Sequence, residues 1–504
     1  AGPNVANAQG DLPITIAANA GRTDMVNTLI QKSANVDAVD AKGKSALYYA
    51  VANNNVPMAQ ALLVGKANPN ANGVVDKAIE NKNQQMLLAL STYNADFNPG
   101  LIKAAQMNDA QLFRTILNYG GKCTNAQPFQ AAVDRNNTEI AMLALDNGVD
   151  ANQALTYCIQ KDARGFMVLC VSKGADVNAA TAHAVSKQDV PLTTDLMANH
   201  NADPNNVLMR GLAVNSLPIA EAALQRGADP TPHVERIVKE KSAEKTELLL
   251  KYKGDSTLAM KTAVLGNDLA IAQLAANYGG TAEDPALMNH AVTQNNADLV
   301  RFVIEHGGSS MDPALLETAV NNNNAVIAQM LLEDDATISN SNLIKTAVTK
   351  GNQEMVELLV DFGAEPDDAM ETAIGKNDSK LVEYLIGEGA DATKAEFIAA
   401  AAGNGNESMT KLLLDNGADP SDGMKSAAAG DKYQIVKLLI ERGANVSDPE
   451  IMLGAVSRGY VKTFMELKNA GAPVSYISSG NDNLLHYSCR VGSYPITEEL
   501  LKMG

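Results

Sequence analysis

The side chains that could do chemistry are few and do not converge. The six histidines, His183, His200, His233, His290, His306 and His486, share no metal-ligand spacing. A structural zinc site typically pairs Cys or His ligands a few residues apart. The four cysteines, Cys123, Cys158, Cys170 and Cys489, are too scattered for a disulfide framework. Cys158 and Cys170 fall on two successive predicted helices, so a bridge between them is conceivable; free core thiols are the plainer alternative. Gly403-Asn404-Gly405 closes a helical pattern instead of following a strand, and so does not read as a nucleotide-binding loop. The acidic runs Glu333-Asp334-Asp335 and Glu365-Pro366-Asp367-Asp368 lack the alternating ligands of a calcium loop. They read as solvated turns and helix N-caps. No catalytic residue, no metal site and no cofactor is expected.

The elements behind these residues are set by composition and period. Of 504 residues, aromatics make up 4%, Trp is absent and 46% are hydrophobic. Close helix packing through small and aliphatic side chains has this signature. No apolar run is long enough to cross a membrane as a helix, so no membrane insertion is expected. A net charge of -18 disfavours nucleic acid and anionic lipid as partners.

A phrase of Leu-Leu, two or three polar residues and Gly-Ala-Asp recurs along the whole chain. It ends on Ala175-Asp176, Ala228-Asp229, Ala364-Glu365, Ala390-Asp391, Ala418-Asp419 and Ala444-Asn445, with weaker copies in every gap. Ala34 and Ala67 lie 33 residues apart; the fifteen following steps to Ala472 are 26, 27 or 28. Each period reads as two helices. Asp312 caps and Pro313 opens one of them, with Leu316, Ala319 and Val320 on its apolar face. The next helix places Val326, Ile327, Met330 and Leu331 inward. A small residue in the middle of the first helix is Ala in 14 of 18 units, the exceptions being Cys158, Gly211, Ile237 and Ser488. Four residues later, where the helix must stop in a left-handed conformation, 13 of 18 are Gly or Asn.

These phrases resemble those of the ankyrin-repeat family over the entire chain. The resemblance implies an all-α, helical-hairpin solenoid of about 18 stacked repeats in a single domain, 1–504. Residues 1–66 form two full-length repeats, 67–471 fifteen shortened ones and 472–504 one full-length repeat. Only the long units keep the loop before the first helix, so short β-hairpins are expected only near the two ends. Within the resemblance, His486 ties adjacent loops together. Unit nine, His233 to Gly254, carries Ile237, Lys241 and a dense run of charges, and reads as a bend, a docking point or a degenerate repeat.

The same resemblance implies a non-enzymatic scaffold that holds a protein partner. In that family the residue before the first-helix stop faces a concave groove, and here it is Arg135, Lys161, Lys187, Lys350, Lys376 and Arg458. This row would suit an acidic partner; it would equally offset the helix macrodipole with no partner at all. The complete hairpins give a second candidate surface, with Asp37, Asp40, Lys42 and Lys44 exposed at one and Asn481 and Asp482 at the other. Ala1 and Gly504 both fall on register positions without a polar cap. A fragment of a longer array, ends covered by other chains, and end-to-end homo-assembly into a filament or layer all fit that feature; so does a targeting arm of a larger protein. Ala1 in place of Met favours a secreted or periplasmic protein if it marks processing, and a cytoplasmic one otherwise.

Overall fold

The computed structural model describes residues 2–503; Ala1 and Gly504, with the register positions assigned to them, lie outside the described residues. The described residues form thirty-six α-helices, that is, eighteen pairs, and no β-strand. Two compact units divide the chain, Ala1–Pro230 and Thr231–Gly504. The first holds eight helix pairs, from Pro13–Asn19 to Leu217–Gln225, and the second ten, from Thr231–Lys239 to Tyr494–Met503.

One pair shows how the residues set the structure. Asp312 accepts the Ala314 amide at 3.0 Å and Pro313 fills the first turn of Pro313–Asn321, where its missing N–H costs nothing. Leu315, Leu316, Ala319 and Val320 are buried. Asn323 then takes φ 59° and Asn324 caps Ala325–Asp334 through the Ile327 amide at 3.1 Å. The buried stripe of this second helix is Ala325, Ile327, Ala328, Leu331 and Leu332. Val326 is instead 50% exposed and Met330 half-buried, which corrects the inward face expected for them. With Asn324 fixed as the cap, the inner rows run from Ile327 to Leu331 and from Ala328 to Leu332, one helical step past Val326 and Met330.

All eighteen first-helix stops, from Gly21 to Gly492, have positive φ. Lys82, Gln188 and Lys241 adopt it without the tolerance of Gly, Asn or Asp, and Asp162 and Asp431 complete the set. A second left-handed residue ends the second helix in seventeen repeats, and this is the Gly of Gly-Ala-Asp where glycine is present. The mid-helix small residue is buried throughout. At Gly211 an added Cβ would lie 3.0 Å from the Ile219 side chain and 3.1 Å from the Ala220 amide, so the helices meet closely there and an alanine would press its neighbours apart slightly.

Polar ladders join one repeat to the next within each unit. In Ala1–Pro230, Asn137 caps its helix through Ile140 and donates to Asn108 at 2.7 Å. In Thr231–Gly504, Asn324 donates to Asn295 at 2.9 Å and Asn352 to Asn323 at 3.0 Å. A second ladder links loops: Asp37 accepts the Asn68 amide, Asn70 that of Asp96 and Asn98 that of Lys122, at 2.6, 2.6 and 2.7 Å. Each such bond contributes about 1 kcal/mol.

Two isolated bridges, Val39 to Ser45 and Ile477 to Asn483, close the expected hairpin loops. His486 forms a reciprocal cap with Asn483 inside its own loop; no bond from it to an adjacent loop is present among the described residues. The irregular ninth repeat opens at the boundary between the units. Ile237 is fully buried there, and Arg236, Lys239 and Lys245 pair with Glu240, Glu235 and Glu240 at 2.5, 2.5 and 3.3 Å.

Candidate functional site

All six cations of the predicted row are exposed near the C-terminal end of a first helix. Their surroundings separate them. Lys376 turns back on the preceding first helix, Asn342–Lys350, and donates to the Val348 and Thr349 carbonyls at 2.9 and 2.5 Å. Asparagines at the same repeat position do likewise: Asn53 donates to the Asn19 carbonyl at 3.2 Å and Asn81 to that of Val51 at 2.7 Å. The position therefore satisfies orphan carbonyls of the neighbouring helix. Arg458 reaches, among the described residues, only the Gly454 carbonyl of its own helix, at 3.5 Å.

Lys161 pairs with Asp134 of the preceding repeat at 3.0 Å and sits 5.2 Å from the centre of the Tyr157 ring. The Tyr157 hydroxyl also donates to Asp134, at 2.8 Å. Lys161 first, and Tyr157 second, hold the Asp134 carboxyl below its ordinary pKa. Arg135, Lys187 and Lys350 have no side-chain hydrogen bond or ion pair among the described residues.

Arg135 borders a cavity of about 540 Å³ across the first helices Asn98–Gln106, Gln127–Asp134 and Ala151–Lys161. Ile102 and Ala131 give it an apolar floor; Gln106, Gln127, Gln130, Asp134 and Tyr157 form the polar wall. A smaller hollow of about 190 Å³ on the far side of Ile102 is bordered by Lys122. The structure thus brings Arg135 and Lys161 to one site and places Lys187 one repeat further on. Sequence reasoning passed over Tyr157 and the three glutamines. The spacing of Tyr157 and Lys161, four residues apart on one helix, carried a signal for the first; nothing marked the glutamines.

Of the six hairpin candidates, Asp40 is buried, Lys44 and Asp482 are half-buried, and Asp37, Lys42 and Asn481 are exposed. Asp40 is 9% exposed, contrary to expectation, because the loop folds around it. It accepts the Lys42 and Lys44 amides, each at 2.9 Å, and the Tyr49 hydroxyl at 2.5 Å. Burial opposes its charge, but these bonds prevail and keep its pKa low. The same contact with Asp40, aided by burial, pushes Tyr49 up to about 12. Lys44 is half-buried, 4.1 Å above the Tyr48 ring, and half-buried Asp482 pairs with Arg490 at 2.9 Å. Both were expected to be exposed; each is covered by the ring or guanidinium it meets. Asp37 is exposed but committed to the loop ladder. Lys42 and Asn481 remain as exposed tips.

Cys158 and Cys170 are free and fully buried, their sulfurs 3.9 Å apart. Among the described residues no three His, Cys, Asp or Glu side chains gather as metal ligands, and no helix is long and apolar enough to cross a membrane.

Residues 1–73 and 369–450 match the family model of ankyrin repeats, in three copies. The B-cell lymphoma 3 protein homolog of Mus musculus is 43% identical over 68 residues, 13% of this chain and 15% of that protein. The match therefore spans less than a sixth of that relative's length. Two solved structures are similar over part of the chain. The ankyrin repeat domain of human ASB11 shares 18% identity over 43% of this chain and 97% of its own, with a TM-score of 0.28. The ankyrin repeat domain of Bcl-3 shares 22% over 37% and 97%, with a TM-score of 0.30. By the matches at 1–73 and 369–450, these parts of the chain are ankyrin repeats, and the helix pairs elsewhere follow the same two-helix pattern.

Proposed function

We propose that this chain is a non-enzymatic scaffold that holds an acidic protein partner against the C-terminal ends of its first helices. One observation carries the reading. At a repeat position where Asn53, Asn81 and Lys376 cap a neighbouring helix, Arg135, Lys187 and Lys350 stay exposed and unpaired among the described residues. Cations on an acidic chain select for complementary partners and raise their rate of encounter. The exposed hairpin tips Lys42 and Asn481 each offer a further contact within their own unit.

Site-specific photo-crosslinking tests this. A photoreactive residue replaces Lys187 or Lys350, and in a control Met142, which is 43% exposed on the second helix Thr138–Asp146. Protein adducts should form at the first two positions and be sparse at the control. Adducts concentrated at Met142 would overturn the reading.

A second reading, association with another copy of the chain, is favoured by the exposed face of Pro13–Asn19 and Thr23–Gln31. Ile16 and Met25 are 48% and 60% exposed there, beside a hollow of about 740 Å³. Sedimentation across a hundredfold concentration range distinguishes it: growth of the particle supports association, a constant monomer removes it.

A further inference from the structure

We infer that the cavity across Asn98–Gln106, Gln127–Asp134 and Ala151–Lys161 receives an extended acidic peptide segment, with a carboxylate of that segment on the Arg135 guanidinium. This assignment rests on the proposed interaction role and names the chemistry of one partner segment.

Charge gives the first argument. The cavity carries one carboxylate, Asp134, and that group is already bound by Lys161 at 3.0 Å and Tyr157 at 2.8 Å. Arg135 feels the adjacent Asp134 charge but has no hydrogen bond or ion pair of its own among the described residues, so its guanidinium donors are free, on a chain whose net charge is -18. A planar guanidinium offers two parallel donors to a carboxylate and favours that ion over a diffuse anion. The adjoining hollow, which shares Ile102, carries one charge of each sign, Lys122 and Asp96, so the net positive character stays with Arg135.

Shape and hydrogen bonding give the second. Gln106, Gln127 and Gln130 make no side-chain hydrogen bond among the described residues, and each offers an amide donor and a carbonyl acceptor. Three such groups over an apolar floor match a main chain, which alternates N–H and C=O. They do not match a nucleic acid, whose repeating phosphates would meet a strongly acidic protein. Ile102 and Ala131 would receive one apolar side chain of the segment. A volume of about 540 Å³ suits a few residues of a peptide, not a folded surface.

A random nonapeptide library displayed on phage and selected against the full chain tests the assignment. Enriched peptides should carry Asp or Glu with a nearby apolar residue. Arg135→Glu should weaken a synthetic enriched peptide at least tenfold, and replacing its acidic residue by Lys should restore binding to that variant. This exchange reads charge pairing and is insensitive to a merely structural role. Gln106→Ala with Gln130→Ala, made together, should weaken the same peptide with the charge intact. Circular dichroism confirms folding of each variant. Failure to enrich any peptide, enrichment of peptides without a carboxylate, or unchanged binding to Arg135→Glu would overturn the assignment. A single-stranded oligonucleotide that competes with the peptide would do so too. Crosslinks at Lys187 and Lys350 do not depend on this cavity, so they can survive its failure and thereby separate the two ideas.

Discussion

Arg135 with Lys161, in Ala1–Pro230, and Lys350 with Lys376, in Thr231–Gly504, occupy the same two successive repeat positions and end in different chemistry. Lys376 caps the Val348 and Thr349 carbonyls, whereas Lys161 binds the Asp134 carboxylate. The deciding residue stands just before the earlier cation. In one region it is Asp134, a full negative charge; in the other it is Thr349, whose hydroxyl is already bonded to the Lys345 carbonyl at 2.8 Å. A charge-assisted bond to a carboxylate outcompetes bonds to neutral carbonyls. The same lysine position is thus a helix cap or part of a side-chain cluster according to one neighbour.

The largest expected effect removes the support of one region. Phe129 is fully buried under Gln127–Asp134, edge-on to Phe166 at 6.4 Å. Phe129→Ala should cost about 3–5 kcal/mol in urea unfolding and abolish peptide binding near Arg135. Next come the ladders, which should not distinguish the regions. Asn137→Ala and Asn324→Ala each lose a cap and a bond to the neighbouring repeat, so each should cost about 1–2 kcal/mol. A clear inequality would mean that the two ladders differ in worth.

Smaller substitutions sharpen the contrast directly. Lys376→Met should cost about 1 kcal/mol by loss of its carbonyl bonds, and Lys350→Met less than about 0.5. The smallest effect is one of pH. Asp134 has a folded pKa below its ordinary 3.8, so the Lys161 pair contributes fully above that value and is lost as pH falls through the lower folded one. The stability gap between wild type and Lys161→Met should therefore be wider at pH 7 than at pH 2.5, and Lys376→Met should show no comparable narrowing.

The helix pairs were legible because their signals are local and repeated. Every first-helix stop predicted from Gly or Asn has positive φ, and so do Lys82, Asp162, Gln188, Lys241 and Asp431, which only the register could place. The two hairpin loops were likewise visible as extra length before Ser45 and Asn483. What the pattern could not show depends on contacts between repeats. Asp40 looked like a loop-tip charge until the chain folded round it. The six cations looked equivalent, since only packing brings Asp134 to Lys161 and the Val348 carbonyl to Lys376. Gln106, Gln127 and Gln130 carry no mark in sequence and acquire meaning only around a shared cavity.

The most direct measurement compares a captured partner's affinity for Arg135→Glu and Lys376→Glu, each alongside its melting temperature. Arg135→Glu should lose at least tenfold in affinity with little change in melting, while Lys376→Glu melts earlier and binds as wild type does. Equal affinity losses in both, or a loss confined to Lys376→Glu, would contradict the division between cations that cap helices and cations that meet a partner.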